Sequence, residues 1–390
     1  MKNTLLCLLA AVAVFCSCSE KKAPIPLYGW DSVGKNPNLE EVRAKFQNYK
    51  AHGFTGICVQ ADLADIPAVS AIAHEEGLEY HAWKPCMLQS GKPHDWYCVN
   101  RLGQSADEFP AYVQYYQALD PANPEVQDFI VSMITEIAAV PDVDYVQLDY
   151  IRYADAILAR GLWDKYGLDF SNGPYPPADY CYCDRCVNEF KELTGIDILQ
   201  AEDPQAVPEW TAFRCGKITA LVSKVCDAVH AMGKKVSADV FPGPNSLAVP
   251  MVRQQWDQWP IDMVFPMNYN DFYLEGADWL ADITAEEVKA AGDVPVISGL
   301  FICREWQRKA EIKDPEGHGL IPSEIATAVQ GSMDAGAAGI CLFTPGSMTP
   351  EHWAELDKLV LESYSWNITP IRISRASRRA CHRELAYPFP

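Results

Sequence analysis

Asp144-Tyr145-Val146-Gln147-Leu148-Asp149-Tyr150-Ile151-Arg152-Tyr153 contains a short apolar run that ends on a carboxylate. Strand alternation puts Val146 and Leu148 on one face and Gln147 and Asp149 on the other. Runs of the same length recur on both sides of it, at Leu27–Trp30, Gly56–Gln60, Glu79–Trp83, Lys235–Val240, Asp262–Met267, Val294–Leu300 and Gly339–Phe343. With Tyr145–Asp149 they make eight strands, each followed by a helix-like stretch, for example Leu39–His52, Pro124–Val140, Trp210–Met232 and Ser323–Ala335. Several of these stretches close on glycine before the next strand, as at Gly53, Gly233 and Gly336, the expected C-terminal cap. Strand and helix in strict alternation predict parallel βαβ units. Eight such units over roughly 340 residues predict an α/β fold, a (β/α)8 TIM barrel. The alternative, a doubly wound open sheet, lacks support because no G-x-G-x-x-G follows a strand. The longest connections follow strand three (about Lys84 to Asn123) and strand four (about Ala154 to Pro208), and in a barrel both project from the catalytic face.

The barrel is expected over residues 27–365. Before it, Lys2, an apolar stretch from Leu5 to Phe15 and Cys16-Ser17-Cys18-Ser19 read as a secretory signal over residues 1–17 and a linker over 18–26. A Cys after a small residue there resembles a bacterial lipobox. Cys18 is the expected lipidated residue, Cys16 the alternative, and an ordinary signal peptide the simpler reading. The expectation is an exported bacterial lipoprotein of the cell envelope, held to its membrane by lipid rather than by a helix. At the other end, residues 366–390 are expected to be an irregular basic tail. Their last twenty positions hold five arginines against one glutamate in a chain of net charge −20. That acidity leaves no surface suited to a phosphate backbone, so nucleic acid is not an expected partner.

Function has to come from strand ends, because the fold hosts many chemistries. A carboxylate ending a buried strand is costly unless paired or used. Asp149 is therefore either a working group or a structural partner of Arg152. His81 and Trp83 share a face at the end of strand three, suited to a hydroxyl donor and a stacking platform. A satisfied structural histidine is the competing reading of His81. Trp30, ending strand one, offers a second platform or plain core packing. Asn268 and Tyr269, ending strand six, are hydrogen-bonding candidates, or members of a turn. Eleven Trp and eighteen Tyr exceed the needs of a core, and aromatic rings stack on the apolar faces of sugars.

Three segments in this order carry a resemblance: Glu79-Tyr80-His81-Ala82-Trp83, Leu119-Asp120-Pro121-Ala122-Asn123-Pro124-Glu125-Val126, and Asp144 to Tyr153. Together they resemble the glycosyl-hydrolase-like family ten and related glycoside hydrolase barrels, distantly similar to the α-amylase clan. Tyr145 stands where that family usually has Gly, and Ala154 where it usually has Pro. The resemblance covers roughly residues 27 to 345 and implies a catalytic barrel acting on an oligo- or polysaccharide. In the clan the nucleophile ends strand four, which falls on Asp149. The acid/base ends strand five, which falls on Asp239, although the clan's usual residue there is Glu. Glycoside hydrolysis uses two carboxyl groups, and adjacent strands about 4.8 Å apart can give the ~5–5.5 Å spacing of a retaining pair. Glu305, beyond strand seven, is a rival acid or an exposed loop residue. The expected activity is hydrolysis of O-glycosyl bonds, with no organic cofactor. The alternative is a glycan-binding barrel without catalysis, in which Asp149 and Arg152 form a recognition pair.

Most cysteines are scattered singly in apolar patterns, as at Cys58, Cys226 and Cys341, where Cys behaves as a small hydrophobe. Cys181, Cys183 and Cys186 are clustered in the strand-four insertion. They read either as part of a structural zinc site or as a disulfide with one free thiol. Cys98, His94 and Asp184 are the candidates for a fourth zinc ligand. A metal-dependent hydrolase using this loop ranks last, because it lacks the His and carboxylate ligands usual around an open catalytic metal.

Overall fold

The computed structural model describes residues 24–360. The expected signal peptide, the lipidated Cys18 and the basic tail lie outside the described residues. The eight strands are β1 (Leu27–Gly34), β2 (Gly56–Ala61), β3 (Glu79–Pro85), β4 (Tyr145–Asp149), β5 (Lys235–Val240), β6 (Met263–Pro266), β7 (Ile297–Phe301) and β8 (Gly339–Phe343). All pair in parallel, and β1 lies between β2 and β8. Isolated parallel bridges from Val264 to Val296 and from Met267 to Gly299 join β6 to β7 and close the ring. The result is a TIM barrel.

The longer helices are α1 (Leu39–Ala51), α2 (Ile66–Glu75), α3 (Pro124–Ala138), α4 (Asp184–Thr194), α5 (Pro208–Ala231), α6 (Trp279–Ala291), α7 (Ile325–Asp334) and α8 (Pro350–Val360). Among the described residues, none is long and apolar enough to cross a membrane. The start of α3 shows how sequence fixes these elements. Asn123 caps it by accepting from the Glu125 amide, and Pro124 takes the first turn, where its missing N–H costs nothing. Val126, Ile130, Ile134 and Ile137 then form one buried stripe. After β5 the pattern breaks. Only short helical turns at Pro244–Ala248, Val249–Val252 and Trp256–Gln258 follow before β6.

Apolar side chains occupy two separate shells. Outward-facing residues of the strands pack on the helices, as Ile57, Val59, Tyr80, Val146 and Leu148 do. Inside the ring, Tyr28, Trp30, Cys58, Tyr145, Met263, Phe265, Ile297 and Cys341 form a second cluster, with Trp83, Tyr269 and Phe343 above it. Gly299 makes room for this interior, because a Cβ there would lie 2.6 Å from the Trp30 ring and 2.5 Å from the Pro266 carbonyl oxygen.

The two long insertions are stitched together. Asn100 bridges to Tyr180, and the Tyr182 amide donates to the Val99 carbonyl at 2.7 Å. Both follow strands at their C-terminal ends and so roof the same mouth of the barrel.

Candidate active site

Strands β4 and β5 pair with Gln147 opposite Ser237 and Leu148 opposite Ala238. One step further along, Asp149 closes β4 and Asp239 stands one residue before the end of β5, both on the inner face of adjacent strands, where strand spacing is about 4.8 Å. Two indoles hold them. The Trp83 Nε1 donates to Asp149 Oδ2 at 3.0 Å, and the Trp30 Nε1 donates to Asp239 Oδ1 at 3.0 Å. Gln147 adds a 2.8 Å bond from its Nε2 to the same Asp239 oxygen. The other oxygen of Asp239, Oδ2, is buried without a partner.

Asp149 is held more tightly at its own backbone. Tyr150 adopts φ +46°, a left-handed conformation uncommon for a residue with a side chain. Its amide donates to Asp149 Oδ1 at 2.6 Å. Backbone strain of this kind beside a carboxylate is a feature of built sites.

The two acids differ in electrostatics. Burial raises both above the usual carboxylate range. For Asp149 the donors from Trp83 and Tyr150 and the nearby Arg152 oppose that rise. For Asp239 the Asp149 charge adds to burial, and its carboxyl stands well above the ordinary value. One proton on the pair therefore belongs on Asp239. Both acids are shielded, 5% and 2% exposed, beneath an aromatic rim. Trp83, Tyr150, Tyr269 and Phe343 on that rim remain half-buried.

The other predicted residues fall in different places. Arg152 is buried, and it pairs with Asp155 at 2.9 Å rather than with Asp149. Its guanidinium also bonds the Tyr116 hydroxyl and lies 4.9 Å from the Tyr150 ring, so it props the rim from behind. His81 lies deep in the barrel, fully buried, stacked on Tyr145 and bonded to Ser237 and Glu79. It is a satisfied structural histidine, two pleats below the mouth. Trp30 is 1% exposed and packs edge-on against Phe265, Tyr269 and Phe343. It is a donor to Asp239 rather than an open platform. Trp83 combines both uses, a half-buried ring and an N–H on Asp149.

Tyr269 joins the site, its ring 5.6 Å from Phe343, with the charges of Asp239 and Asp149 helping burial to raise its hydroxyl. Asn268 points the other way, into the layer between strands and α6. There it is buried and donates to Glu287 and Ser298 at 3.0 Å each. Both residues lie past the end of β6, where the chain turns with the Asn268 amide on the Pro266 carbonyl and the Tyr269 amide on the Met267 carbonyl, and that turn sends the two side chains to opposite sides. Glu305 is exposed and paired with Arg308 at 3.4 Å.

Cys181, Cys183 and Cys186 are free thiols. The three sulfurs and a carboxylate oxygen of Asp120 all lie within 4.8 Å of one another. None of the three expected fourth partners completes the group. His94 is exposed and bonded to Asp107. Asp184 is exposed. The Cys98 thiol donates to the Leu119 carbonyl and also bonds Cys181, so it adjoins the group of four without being one of them.

Sequence reasoning missed Gln147 as a donor, Asp155 as the partner of Arg152, and Asp120. Gln147 was visible as the residue sharing the face of Asp149. Asp120 was hidden inside a helix-start motif and is brought to the cysteines by a fold of the β3 insertion.

Comparisons with known proteins agree with this architecture. The catalytic domain of a β-amylase from Paenibacillus polymyxa superposes with a TM-score of 0.55 and 9% identity, covering 86% of this chain and 98% of that one. Such a likeness shows the fold alone. Glycosyl hydrolase DigH of Escherichia coli (strain K12) is 32% identical over 117 residues, 26% of each chain. DigH of Shigella flexneri matches to the same extent. The match thus spans about a quarter of the length of these curated relatives. The family profile of Glycosyl hydrolase-like 10 matches residues 63–291, a span holding Asp149, Asp239 and both mouth insertions. That is more than half of the chain, and the protein belongs to the Glycosyl hydrolase-like 10 family.

Proposed function

We propose that this protein hydrolyses O-glycosidic bonds of an oligo- or polysaccharide, with Asp149 as nucleophile and Asp239 as general acid/base. The observation that carries the reading is the matched pair of carboxyls at the ends of β4 and β5, each oriented by an indole N–H. Two acids with unequal proton affinity are what the reaction needs. Asp239 holds the proton, and its unpartnered Oδ2 has no competing acceptor for it. It delivers that proton to the leaving oxygen. Asp149, ionised and fixed by two donors, attacks the anomeric carbon. Deprotonated Asp239 then draws a proton from the water that releases the sugar. Adjacent strand ends favour the short ~5–5.5 Å spacing of a retaining mechanism over the wider inverting one. The aromatic rim supplies faces for sugar rings, and it must part to admit them, since both acids lie beneath it.

The Asp149→Asn enzyme should lose at least ~10³-fold in turnover while melting within a few degrees of the parent. The assay is release of reducing ends from a panel of polysaccharides and aryl glycosides. Full activity in that variant would sink the mechanism and leave a glycan-binding barrel as the better reading.

A further inference from the structure

We propose that Asp120, Cys181, Cys183 and Cys186 form a four-ligand site for one zinc ion that ties the β3 and β4 insertions together. Zinc favours four tetrahedral ligands, with sulfur at about 2.3 Å and carboxylate oxygen at about 2.0–2.2 Å. Those lengths put neighbouring ligand atoms roughly 3.5–3.8 Å apart. The four ligand atoms here all fall within 4.8 Å of one another. The Cys183 sulfur is 3.3 Å from Asp120 Oδ2, and the Cys186 sulfur is 3.6 Å from Asp120 Oδ1. The group is thus already gathered at nearly the spacing of a single ion. An iron–sulfur cube would spread its ligands wider.

The surroundings suit thiolates and an anion. The Val99 amide donates to the Cys181 sulfur at 3.4 Å. Cys183 stands at the N-cap position of α4, and Cys186 lies in its first turn, where the helix dipole favours negative charge. Arg185 bonds Asp120 Oδ2 at 2.6 Å, and the Ala122 amide bonds Oδ1 at 2.9 Å. These contacts orient the carboxylate in the manner of outer-shell partners around a metal. Asp120 and Cys181 are fully buried, and a buried carboxylate is held only where charges and donors of this kind face it. Binding replaces three thiol protons, released to solvent, by one divalent cation. Asp120 comes from the β3 insertion and the cysteines from the β4 insertion. Both insertions also supply parts of the rim support, Tyr116 and Arg152 with Asp155. The site is a structural clamp on the roof of the barrel mouth, with no vacant ligand position for catalysis.

The full chain, reduced and stripped with chelator, is titrated with Co²⁺ and then with Zn²⁺. One equivalent of cobalt should give strong thiolate-to-cobalt absorption in the near ultraviolet and the visible bands of a tetrahedral site. One equivalent of zinc should abolish both. Asp120→Asn should weaken zinc binding at least tenfold with an unchanged fold by circular dichroism, and Cys183→Ser should lose the absorption. If Cys183→Ser fails to fold, the parent spectrum and the Asp120→Asn affinity still decide. Absence of the cobalt bands overturns the proposal. So does a disulfide within the cluster, mapped by mass spectrometry of protein purified without reductant. Loss of binding in Cys98→Ala with full binding in Asp120→Asn would overturn the ligand set.

Discussion

At Asp239 one carboxyl oxygen receives two donors, from Trp30 and Gln147, while the other receives none. Donors stabilise the ionised form and so oppose burial and the Asp149 charge, which favour the protonated form. Gln147→Met removes one donor at nearly constant volume, and also removes the buried Gln147 Oε1 that has no partner. The folded protein should therefore tolerate it. Asp239 should hold its proton more firmly, and the alkaline limb of kcat/KM should move up by on the order of one pH unit. The acid limb reports Asp149 and should stay nearly in place. A pH–rate profile with an unmoved alkaline limb would show that Asp239 is not the proton donor. Asp149 was conspicuous in the sequence as a carboxylate closing an apolar run, whereas Asp239 was singled out only by the resemblance, which places a second acid at the end of strand five. Their indole partners were not legible, since a tryptophan donor and a tryptophan platform look the same in sequence. Arg152 misled for a related reason. Asp149 and Asp155 both stand three residues from it, and only the turn after β4 decides between them.

Within the β4 insertion, one buried carboxylate sits between two guanidinium groups. Asp179 Oδ1 accepts from Arg214 of α5 at 2.6 Å and from Arg253 at 3.4 Å. Its other oxygen accepts from Tyr182 and Gln205. All three charged groups are at most 2% exposed. The guanidinium of Arg214 holds the Asp179 carboxyl below its usual range against the effect of burial. Replacing such a triad with apolar groups need not cost stability, but removing its centre leaves two like charges buried and unpaired. Asp179→Ala should therefore destabilise by about 3–5 kcal/mol, read from urea midpoints at constant m-value. A loss under about 1 kcal/mol would mean that water enters and the insertion packs more loosely than this geometry shows. Nothing in the sequence linked Asp179 to residues 35 and 74 positions away. Long insertions obey tertiary contacts, whereas the barrel's own elements obey local periods. The strands at Tyr145–Asp149, Lys235–Val240 and Gly339–Phe343 match their sequence-predicted bounds. The stretch after β5 has short turns in place of a long helix, a helical run over Pro244–Val252 that stops where Arg253 turns left-handed at φ +61°.

The barrel as a whole was readable because closure needs only eight apolar runs in alternation with helices, and burial on both faces of each strand makes those runs continuous. What alternation cannot reveal is the polar chemistry sealed between the layers, and that chemistry sets how the molecule responds to pH. Glu287 of α6 is fully buried, accepting from Asn268 and from the Gly243 amide, and burial pushes its carboxyl up to about 8. Asp239 and Asp149 are raised by the same cause. A group raised in the folded state binds its proton more tightly there than in the unfolded chain. Its stabilising effect is complete below its ordinary value, near 4.5 for Glu287, and is lost as pH climbs through the raised value. Asp179 is lowered instead, so its contribution is present at neutral pH and disappears in strong acid. Between these opposing slopes, stability should peak in mild acid and fall by on the order of a few kcal/mol from about pH 5 to about pH 9. The net charge of −20 adds repulsion in the same direction. At about 0.5 M salt, where screening lengths shrink to a few Å, that repulsion fades while the buried acids keep their effect. Melting curves at high salt should then show Glu287→Gln flattening much of the alkaline decline. An unchanged decline in that variant, or a parent that grows more stable towards pH 9, would mean that Glu287 is ionised and solvated in the folded barrel.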